Sequence, residues 1–200
     1  LGTSSNDYGR GMTVDSYNNL YVVGFTYGGL DGNTNLGETD IFLVKYNSSG
    51  TKQWTKQLGT SSEDNGIAIA VDSSDNIYVT GLTMGGLDGN TNSGGYDLFL
   101  VKYNSSGTKQ WTKQFGTTSS NEGSQGLAVD SSDNIYLSGY TKGGLDGNSN
   151  SGDRDIFLVK YSSSGTKQWT QQLGTSSEDV GIGIAVDSSD NIYVTGYTEG

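Results

Sequence analysis

Short apolar clusters alternate with polar stretches along the whole chain, and the same order of clusters returns with a spacing of 57 or 58 residues. In the second repeat four clusters follow one another, at residues 66–72, 76–83, 97–104 and 108–114. They are rich in β-branched and aromatic residues and are bounded by Gly, Asn, Asp and Ser, which is typical of β-strands joined by polar turns. The pattern predicts four strands in each repeat and no helix.

The repeats keep a strict register. Three apolar columns mark it: Val14, Val71, Val129 and Val186; Phe42, Phe99 and Phe157; Trp54, Trp111 and Trp169. We divide the chain, as one region spanning 1–200, into repeats 1–57, 58–114 and 115–172 and a half repeat 173–200. The third copy holds one extra residue within polar residues 115–126, which marks a surface loop. A period of this size indicates a solenoid, a propeller or an array.

The connections between strands are of two kinds. Residues 72–76 and 104–107 are tight-turn sequences, whereas the connections after the second and fourth strands are long. Antiparallel neighbours then place both short turns on one rim and both long loops on the opposite rim. We predict an all-β fold, a β-propeller of four-stranded antiparallel blades with three and a half repeats present. Small residues in the first strand, such as Ala68 and Gly126, suit a position at the crowded hub.

The repeated motifs resemble those of a known family. Residues 72–81 read DSSDNIYVTG, residues 97–103 read DLFLVKY, and a strand bearing Trp111 follows. The chain is similar to the bacterial SBBP repeat family, and its first two strands are also similar to NHL-type propellers, which are mostly interaction platforms. The resemblance implies a secreted or cell-surface protein of unassigned activity. Three and a half blades leave strand edges open, so we expect further blades of a longer chain, rather than a self-completing dimer, to close the ring.

Composition narrows the classes of partner. Eleven basic and 22 acidic residues give a formal charge of −11, which disfavours nucleic acid and anionic membranes. The chain has no Cys and no His, so it lacks thiolate chemistry and the commonest general base. No apolar stretch is long enough to insert into a membrane. Because the chain starts at Leu1, we interpret it as a trimmed or mature fragment.

The loop after the second strand carries a candidate calcium motif. It places Asp or Asn at positions 1, 3, 5 and 10 with Gly nearby, and hard cations prefer such oxygen ligands. The spacing resembles the calcium loops of integrin α-chain propellers. It departs from them by placing the final Asp at position 10 and by replacing two expected Asp with Asn, which lowers the negative charge available to an ion. The alternative is plain turn chemistry, and no cofactor is required. The candidate ligands are Asp31, Asn33, Asn35, Asp40, Asp88, Asn90, Asn92, Asp97, Asp146, Asn148, Asn150 and Asp155.

Departures from the repeat mark a candidate ligand surface on the long-loop rim. Arg10 and Gln125 replace Ile67 and Ile182 near the mouth of the axial channel. The functional interpretation is a variable ligand face on a constant scaffold, and the alternative is drift at exposed positions. The candidate ligand residues are Arg10, Tyr27, Met84, Tyr96, Gln125, Lys142 and Arg154.

These features predict a binding scaffold. The acidic residues recur in every blade, whereas one active site should break the repeat, so we expect no catalytic residues and no enzyme activity. The first hypothesis is an extracellular or cell-surface propeller that binds a protein or a glycan through its long-loop rim. The second is a calcium-dependent lectin-like adhesin, and the third is a fragment of a propeller enzyme with its catalytic residues outside this chain.

Overall fold

The computed structural model describes residues 2–118 and 122–199, and its regular structure is almost entirely β. The strands alternate with polar turns in the order that the apolar clusters predict. They are β1 (Asp7–Val14), β2 (Leu20–Thr26), β3 (Asp40–Tyr46), β4 (Lys52–Leu58), β5 (Asp64–Val71), β6 (Ile77–Thr83), β7 (Asp97–Tyr103), β8 (Lys109–Phe115), β9 (Gly123–Val129), β10 (Ile135–Thr141), β11 (Asp155–Tyr161), β12 (Lys167–Leu173), β13 (Asp179–Val186) and β14 (Ile192–Thr198).

The strands form blades. β1–β4, β5–β8 and β9–β12 are three antiparallel four-stranded meanders, here called blades 1, 2 and 3, and β13–β14 is a hairpin that begins a fourth. The first strands of successive blades contact one another, which places them at the hub. Among the described residues the sheets do not close into a ring. The predicted propeller architecture is confirmed.

The core lies between neighbouring blades. Tyr21, Val79 and Phe99 are buried in one cluster that joins blade 1 to blade 2, and Trp54 on the outer strand β4 packs against it. The ring centroids of Trp54 and Tyr21 are 5.9 Å apart. The Trp column therefore anchors each outer strand to its blade. Because β6 and β7 are covered on both faces, they read as continuous apolar runs rather than as alternating ones.

The structure differs from the predicted elements at two places. β5 starts at Asp64, two residues before the predicted apolar run, because residues 64–66 pair with β6 beyond a register shift between Gly66 and Ala68. Each loop after a second strand also contains a 3₁₀ turn that the apolar pattern does not predict. These turns are Leu30–Gly32, Leu87–Gly89 and Leu145–Gly147. Each turn starts with a Leu, and burial of this side chain anchors the loop to its own blade.

Two rims follow from the meander. The short-turn rim consists of residues 15–19, 47–51 and their equivalents, and the long-loop rim consists of residues 27–39, 59–63 and their equivalents. The predicted insertion of the third repeat falls in the loop 116–122, and residues 119–121 lie outside the described part of the chain. Among the described residues, no helix has the length and apolar character that crossing a bilayer requires.

Candidate functional site

The short-turn rim carries one hydrogen-bond network in every repeat. In blade 2 the Asp72 carboxylate accepts the backbone N–H groups of Ser74 at 2.9 Å and Asn76 at 2.8 Å. It also accepts the Tyr78 hydroxyl at 2.9 Å, and the Lys102 ammonium lies 3.7 Å away. Burial, together with this hydrogen bond, raises the pKa of Tyr78. The equivalent turns are centred on Asp15, Asp130 and Asp187.

The same rim also joins one blade to the next. The backbone N–H and the hydroxyl of Ser73 each donate to the Asp133 carboxylate of the following blade, both at 3.0 Å. Matching contacts join Ser16 to Asp75 and Ser131 to Asp190. Because the polar groups of this rim are paired in the same way in each copy, the rim holds the blades together and offers little for a ligand to replace.

The first residue of each predicted calcium loop forms an ion pair. Asp88 has a left-handed backbone, with φ of 52°. Its two carboxylate oxygens accept the Lys109 ammonium and the Thr112 hydroxyl, both on the outer strand of the same blade. In blade 1 the hydrogen bond from Lys52 holds the pKa of Asp31 below its usual value. The equivalent triads are Asp31 with Lys52 and Thr55, and Asp146 with Lys167 and Thr170.

The other candidate ligands turn towards their own loop. The Asn90 amide N–H donates to the Leu87 carbonyl at 2.6 Å. Asp97 accepts the Ser93 backbone N–H at 2.8 Å and the Gln114 side-chain N–H at 3.0 Å. The loop residues of blades 1 and 3 bond in the same manner: Asn33 to Leu30, Asn35 to Gly37, Asp40 to Gln57, Asn148 to Leu145, Asn150 to Gly152 and Asp155 to Gln172.

The fit of these loops to calcium is poor. Calcium takes about six to eight oxygen ligands around one point. Asp88 faces the outer strand β8, whereas Asp97 faces its own loop and Gln114. Within the described residues there is no group of three or more acidic side chains placed to share an ion. An ion at Asp88 would have to displace the Lys109 ammonium, and calcium binding here stays a prediction.

Each blade junction on the long-loop rim buries two carboxyl groups. One starts the third strand of a blade, and the other precedes or starts the first strand of the next blade. At the junction of blades 2 and 3 they are Asp97 and Glu122, which are 0% and 1% exposed. One oxygen of each, Oδ1 of Asp97 and Oε2 of Glu122, has no hydrogen-bond partner. Both lie within 3.0 Å of the point where a side chain on Gly116 would begin, so a glycine is required there.

Glu122 differs electrostatically from its counterparts. Its Oε1 accepts the hydroxyls of Thr117 at 2.7 Å and Thr141 at 3.2 Å. Burial nevertheless raises the pKa of Glu122 to about 7, and the neighbouring charge of Asp97 acts in the same direction. Asp64, in the same position of blade 2, also has a raised pKa because of burial, with Asp40 adding to it. Glu122 is therefore a carboxyl group that changes charge near neutral pH.

Residues from three blades meet at one cavity beside the hub, and two of them, Arg10 and Gln125, break the repeat. It has a volume of about 220 Å³ and opens on the long-loop rim. Arg10 from β1 and Gln125 from β9 flank it, as their place in the repeat predicts. Its lining residues are Arg10, Phe25, Asn65, Ile67, Leu82 and Gln125. The guanidinium carbon of Arg10 lies 5.3 Å from the centre of the Phe25 ring.

The five other predicted rim residues lie apart from this cavity lining. Tyr27 packs edge-on against Phe25, at 6.4 Å between ring centroids, and Met84 is exposed. Tyr96 donates its hydroxyl to Glu63, and burial together with that carboxylate raises the pKa of Tyr96 to about 12. The last two form ion pairs: Lys142 pairs with Asp153 at 2.9 Å, and Arg154 pairs with Glu178 at 3.1 Å.

Four residues of interest are absent from the sequence prediction. Phe25, Asn65 and Leu82 line the cavity, but two of them belong to the apolar pattern of second strands and therefore read as core. Glu122 reads as one more acidic loop residue. The available signal for Glu122 is that it replaces Asp in the column Asp7, Asp64 and Asp179. The cavity has no such signal in the sequence, because the pairing of Tyr8 with Phe25 and of Asn65 with Leu82 appears only in the structure.

Comparisons with known proteins agree with the fold. The sequence profile of the SBBP family, described as a β-propeller repeat, matches residues 1–31, 53–88, 110–146 and 168–200. The regulatory protein FlaEY of Caulobacter vibrioides is 29% identical over 191 residues, which covers 85% of this chain and 20% of FlaEY. An uncharacterized WD repeat-containing protein, L264, of Acanthamoeba polyphaga mimivirus is 26% identical over 265 residues, covering 98% of this chain and 18% of L264. The chain thus spans about a fifth of these relatives.

Two solved structures of lyases share the fold. A streptogramin B lyase superposes with a TM-score of 0.54 at 13% identity, covering 99% of this chain and 54% of the lyase. A PL25 ulvan lyase, a polysaccharide lyase bound to -[GlcA(1-4)Rha3S]-, superposes with a TM-score of 0.56 at 13% identity, covering 96% and 50%. The prediction that the chain is not an enzyme is therefore wrong, because these solved structures, which share its fold, are lyases and the fold can support catalysis. At this identity the likeness shows the fold and names no reaction for the chain.

Proposed function

Because the chain belongs to the SBBP β-propeller repeat family, we propose that it is a binding scaffold whose long-loop rim holds a glycan or a protein. The proposal places the protein outside the cell or at the cell surface of a bacterium. This location rests on the resemblance of its repeats to the SBBP family. A propeller presents one face of a rigid ring as a continuous surface built from several blades. Its constant strands support loops that can vary without loss of the fold.

The observation that carries the proposal is the convergence of repeat-breaking residues on one cavity. Blade 2 supplies Ile67 there, and a strict repeat would place an apolar residue at the same position of every blade. Arg10 and Gln125 replace it in blades 1 and 3, on either side of the same opening. The repeat itself brings this position of neighbouring blades together, and the replacement of Ile by a guanidinium and an amide gives an otherwise apolar opening the polar groups that a ligand site needs.

The contrast between the two rims supports the same choice. The short-turn rim repeats its hydrogen bonds with little change from copy to copy, as around Asp72 and Asp130. The long-loop rim carries polar and aromatic side chains that differ between copies. A glycan is a reasonable ligand for a surface with exposed aromatic rings, and the ulvan lyase shows that a fold of this kind can hold a saccharide.

The test is a binding screen with a repeat-restoring variant. Wild-type chain is applied to a glycan array and to surface proteins of the source bacterium, in parallel with the double variant Arg10→Ile, Gln125→Ile. Both substitutions install the residue that blade 2 carries, so the fold should be kept. We expect the double variant to lose the ligands that the wild-type chain binds. As a matched control, Ser131→Ala changes the short-turn rim and should leave binding intact; the opposite pattern would refute the long-loop rim as the binding face.

A further inference from the structure

We propose that the hub cavity recognises the carboxylate of an acidic saccharide, with the Arg10 guanidinium as its anchor. The inference rests on the proposed function and names the ligand class for the same rim.

Within the described part of the long-loop rim, Arg10 is the basic side chain that has no carboxylate partner. Eight of the basic side chains in the described residues form ion pairs with carboxylates. They are Lys45, Lys52, Lys102, Lys109, Lys142, Arg154, Lys160 and Lys167. Lys56 and Lys113 lie over Trp54 and Trp111 on outer strands, away from this rim. In a chain with a net charge of −11, an arginine without a carboxylate at the mouth of a cavity is available for an anion from outside.

The surroundings of Arg10 fix its direction. The guanidinium lies over the Phe25 ring, which is itself stacked on Tyr8 with ring centroids 5.0 Å apart. A guanidinium that packs against an aromatic face keeps the N–H groups along its edge free, and their fork matches the two oxygens of a carboxylate. None of the described residues lining the cavity is acidic, so an entering carboxylate meets no like charge there.

The opposite wall offers amide groups. Asn65 accepts the Thr39 hydroxyl through Oδ1 at 3.1 Å, which leaves its NH₂ group as a donor. The side chain of Gln125 is exposed and can both donate and accept. Ile67 and Leu82 complete the lining with apolar surface. One guanidinium, two amides and an apolar lining match a small ring that carries a carboxylate and hydroxyl groups.

Size and exposed rings favour a saccharide over a peptide. A volume of about 220 Å³ equals the liquid volume of about seven waters, enough for one sugar ring with its carboxylate. Tyr8 and Tyr27, which are 44% and 46% exposed, stand beside Phe25 and offer flat apolar faces to the next sugars of a chain. A uronic acid oligosaccharide therefore fits both the cavity and its surroundings.

The experiment is calorimetric titration of the full 200-residue chain with three probes. The probes are a glucuronic acid tetrasaccharide, the equivalent glucose tetrasaccharide, and a peptide of similar size with a free carboxyl terminus. We expect the uronate to bind and Arg10→Ile to weaken it by about tenfold or more, because a charge-assisted hydrogen bond is lost. Arg10→Lys should recover only part of the affinity, because an ammonium lacks the planar fork.

The matched control is Lys113→Gln, which removes the same charge from a site outside the cavity and should leave the affinity unchanged. Equal binding of the uronate and the neutral glucose probe would overturn the carboxylate inference while leaving a rim that binds glycans. Binding of the peptide alone would overturn the saccharide. If neither saccharide binds but the array shows ligands that the Arg10→Ile, Gln125→Ile variant loses, the inference fails and the proposed function stands.

Discussion

The substitution Glu122→Gln should stabilise the protein at alkaline pH and leave its stability unchanged in acid. Glu122 is buried at the junction of blades 2 and 3, where its free Oε2 and the free Oδ1 of Asp97 both lie beside Gly116. Two carboxylates in this position repel each other and have lost their water. A Gln of the same size removes one charge, and its NH₂ group can donate to Asp97 Oδ1. The substitution therefore removes the repulsion between the two carboxylates and the cost of burying the Glu122 charge without water.

The magnitude follows from the pKa of Glu122. Burial raises that pKa from 4.5 to about 7, and each tenfold change in proton affinity corresponds to about 1.4 kcal/mol, so the cost of the charged form is about 3 kcal/mol. The folded chain binds the proton more tightly than the unfolded chain. Stability is therefore fully retained below pH 4.5 and falls as the pH rises from about 4.5 to 7. Above pH 7 Glu122 is charged in the folded protein, and the full free-energy cost of burying that charge lowers the stability.

The assay is thermal and urea denaturation of wild type and Glu122→Gln between pH 4 and pH 8.5. The difference between the two proteins isolates Glu122, because all other groups titrate in both. We expect no difference near pH 4 and an advantage for the variant of about 3 kcal/mol at pH 8, or roughly 6–12 °C in Tm for a chain of this size. The control is Asp7→Asn. Although burial opposes it, hydrogen bonds from Thr26 and Thr3 lower the pKa of Asp7, so that variant should lose stability at neutral pH and lose less in acid.

A difference between wild type and Glu122→Gln that is the same at every pH would refute the reasoning, since it would show that Glu122 has the same charge in both states across the range. A stability loss in the variant at pH 8 would also refute it. Such a loss would mean that the carboxylate is bonded more strongly than the structure shows.

The remaining predictions concern the loops and the turns. Calcium at millimolar concentration should change Tm by less than about 1 °C, because Asp88 is already paired with a lysine; a clear rise that a chelator reverses would support the ion instead. Leu87→Ala should cost about 2–4 kcal/mol in urea denaturation, whereas the exposed Leu36→Ala should cost less than about 0.5 kcal/mol. Asp72→Ala should cost about 2–3 kcal/mol by leaving the buried Tyr78 hydroxyl unpaired, and Tyr78→Phe in the same background should recover part of that loss.

The repeat predicts the blades well because each blade is a local unit. The four strands of one meander pair with their neighbours in sequence, so periodicity and turn residues specify both the sheet and its two rims. The start of β5 is the exception: polar Asp64 and Asn65 extend the strand because their backbone pairs beyond a bulge, which side-chain alternation does not show. Backbone pairing of this kind is invisible in an apolar pattern.

The site is less predictable because its contacts cross between elements. Arg10 and Gln125 are found by their departure from the repeat, yet Phe25 and Leu82 read as ordinary core residues. The motif at Asp88 reads as a calcium loop because the sequence shows ligand types and spacing. The partner that occupies its carboxylate, Lys109, lies on another strand. Side chains this far apart in the sequence pair only because of the geometry of the blade, and the sequence pattern does not specify that geometry.

A footprint of the bound ligand tests the binding face most directly. The best ligand from the array is added at saturation to ¹⁵N-labelled chain, and amide chemical shifts and hydrogen exchange are compared with the free protein. We predict that the changes cluster around residues 8–10, 25–27, 65–67 and 123–126 on the long-loop rim. Changes confined to the short turns at 15–19, 72–76 and 130–134 would contradict the assignment of the long-loop rim as the surface that binds.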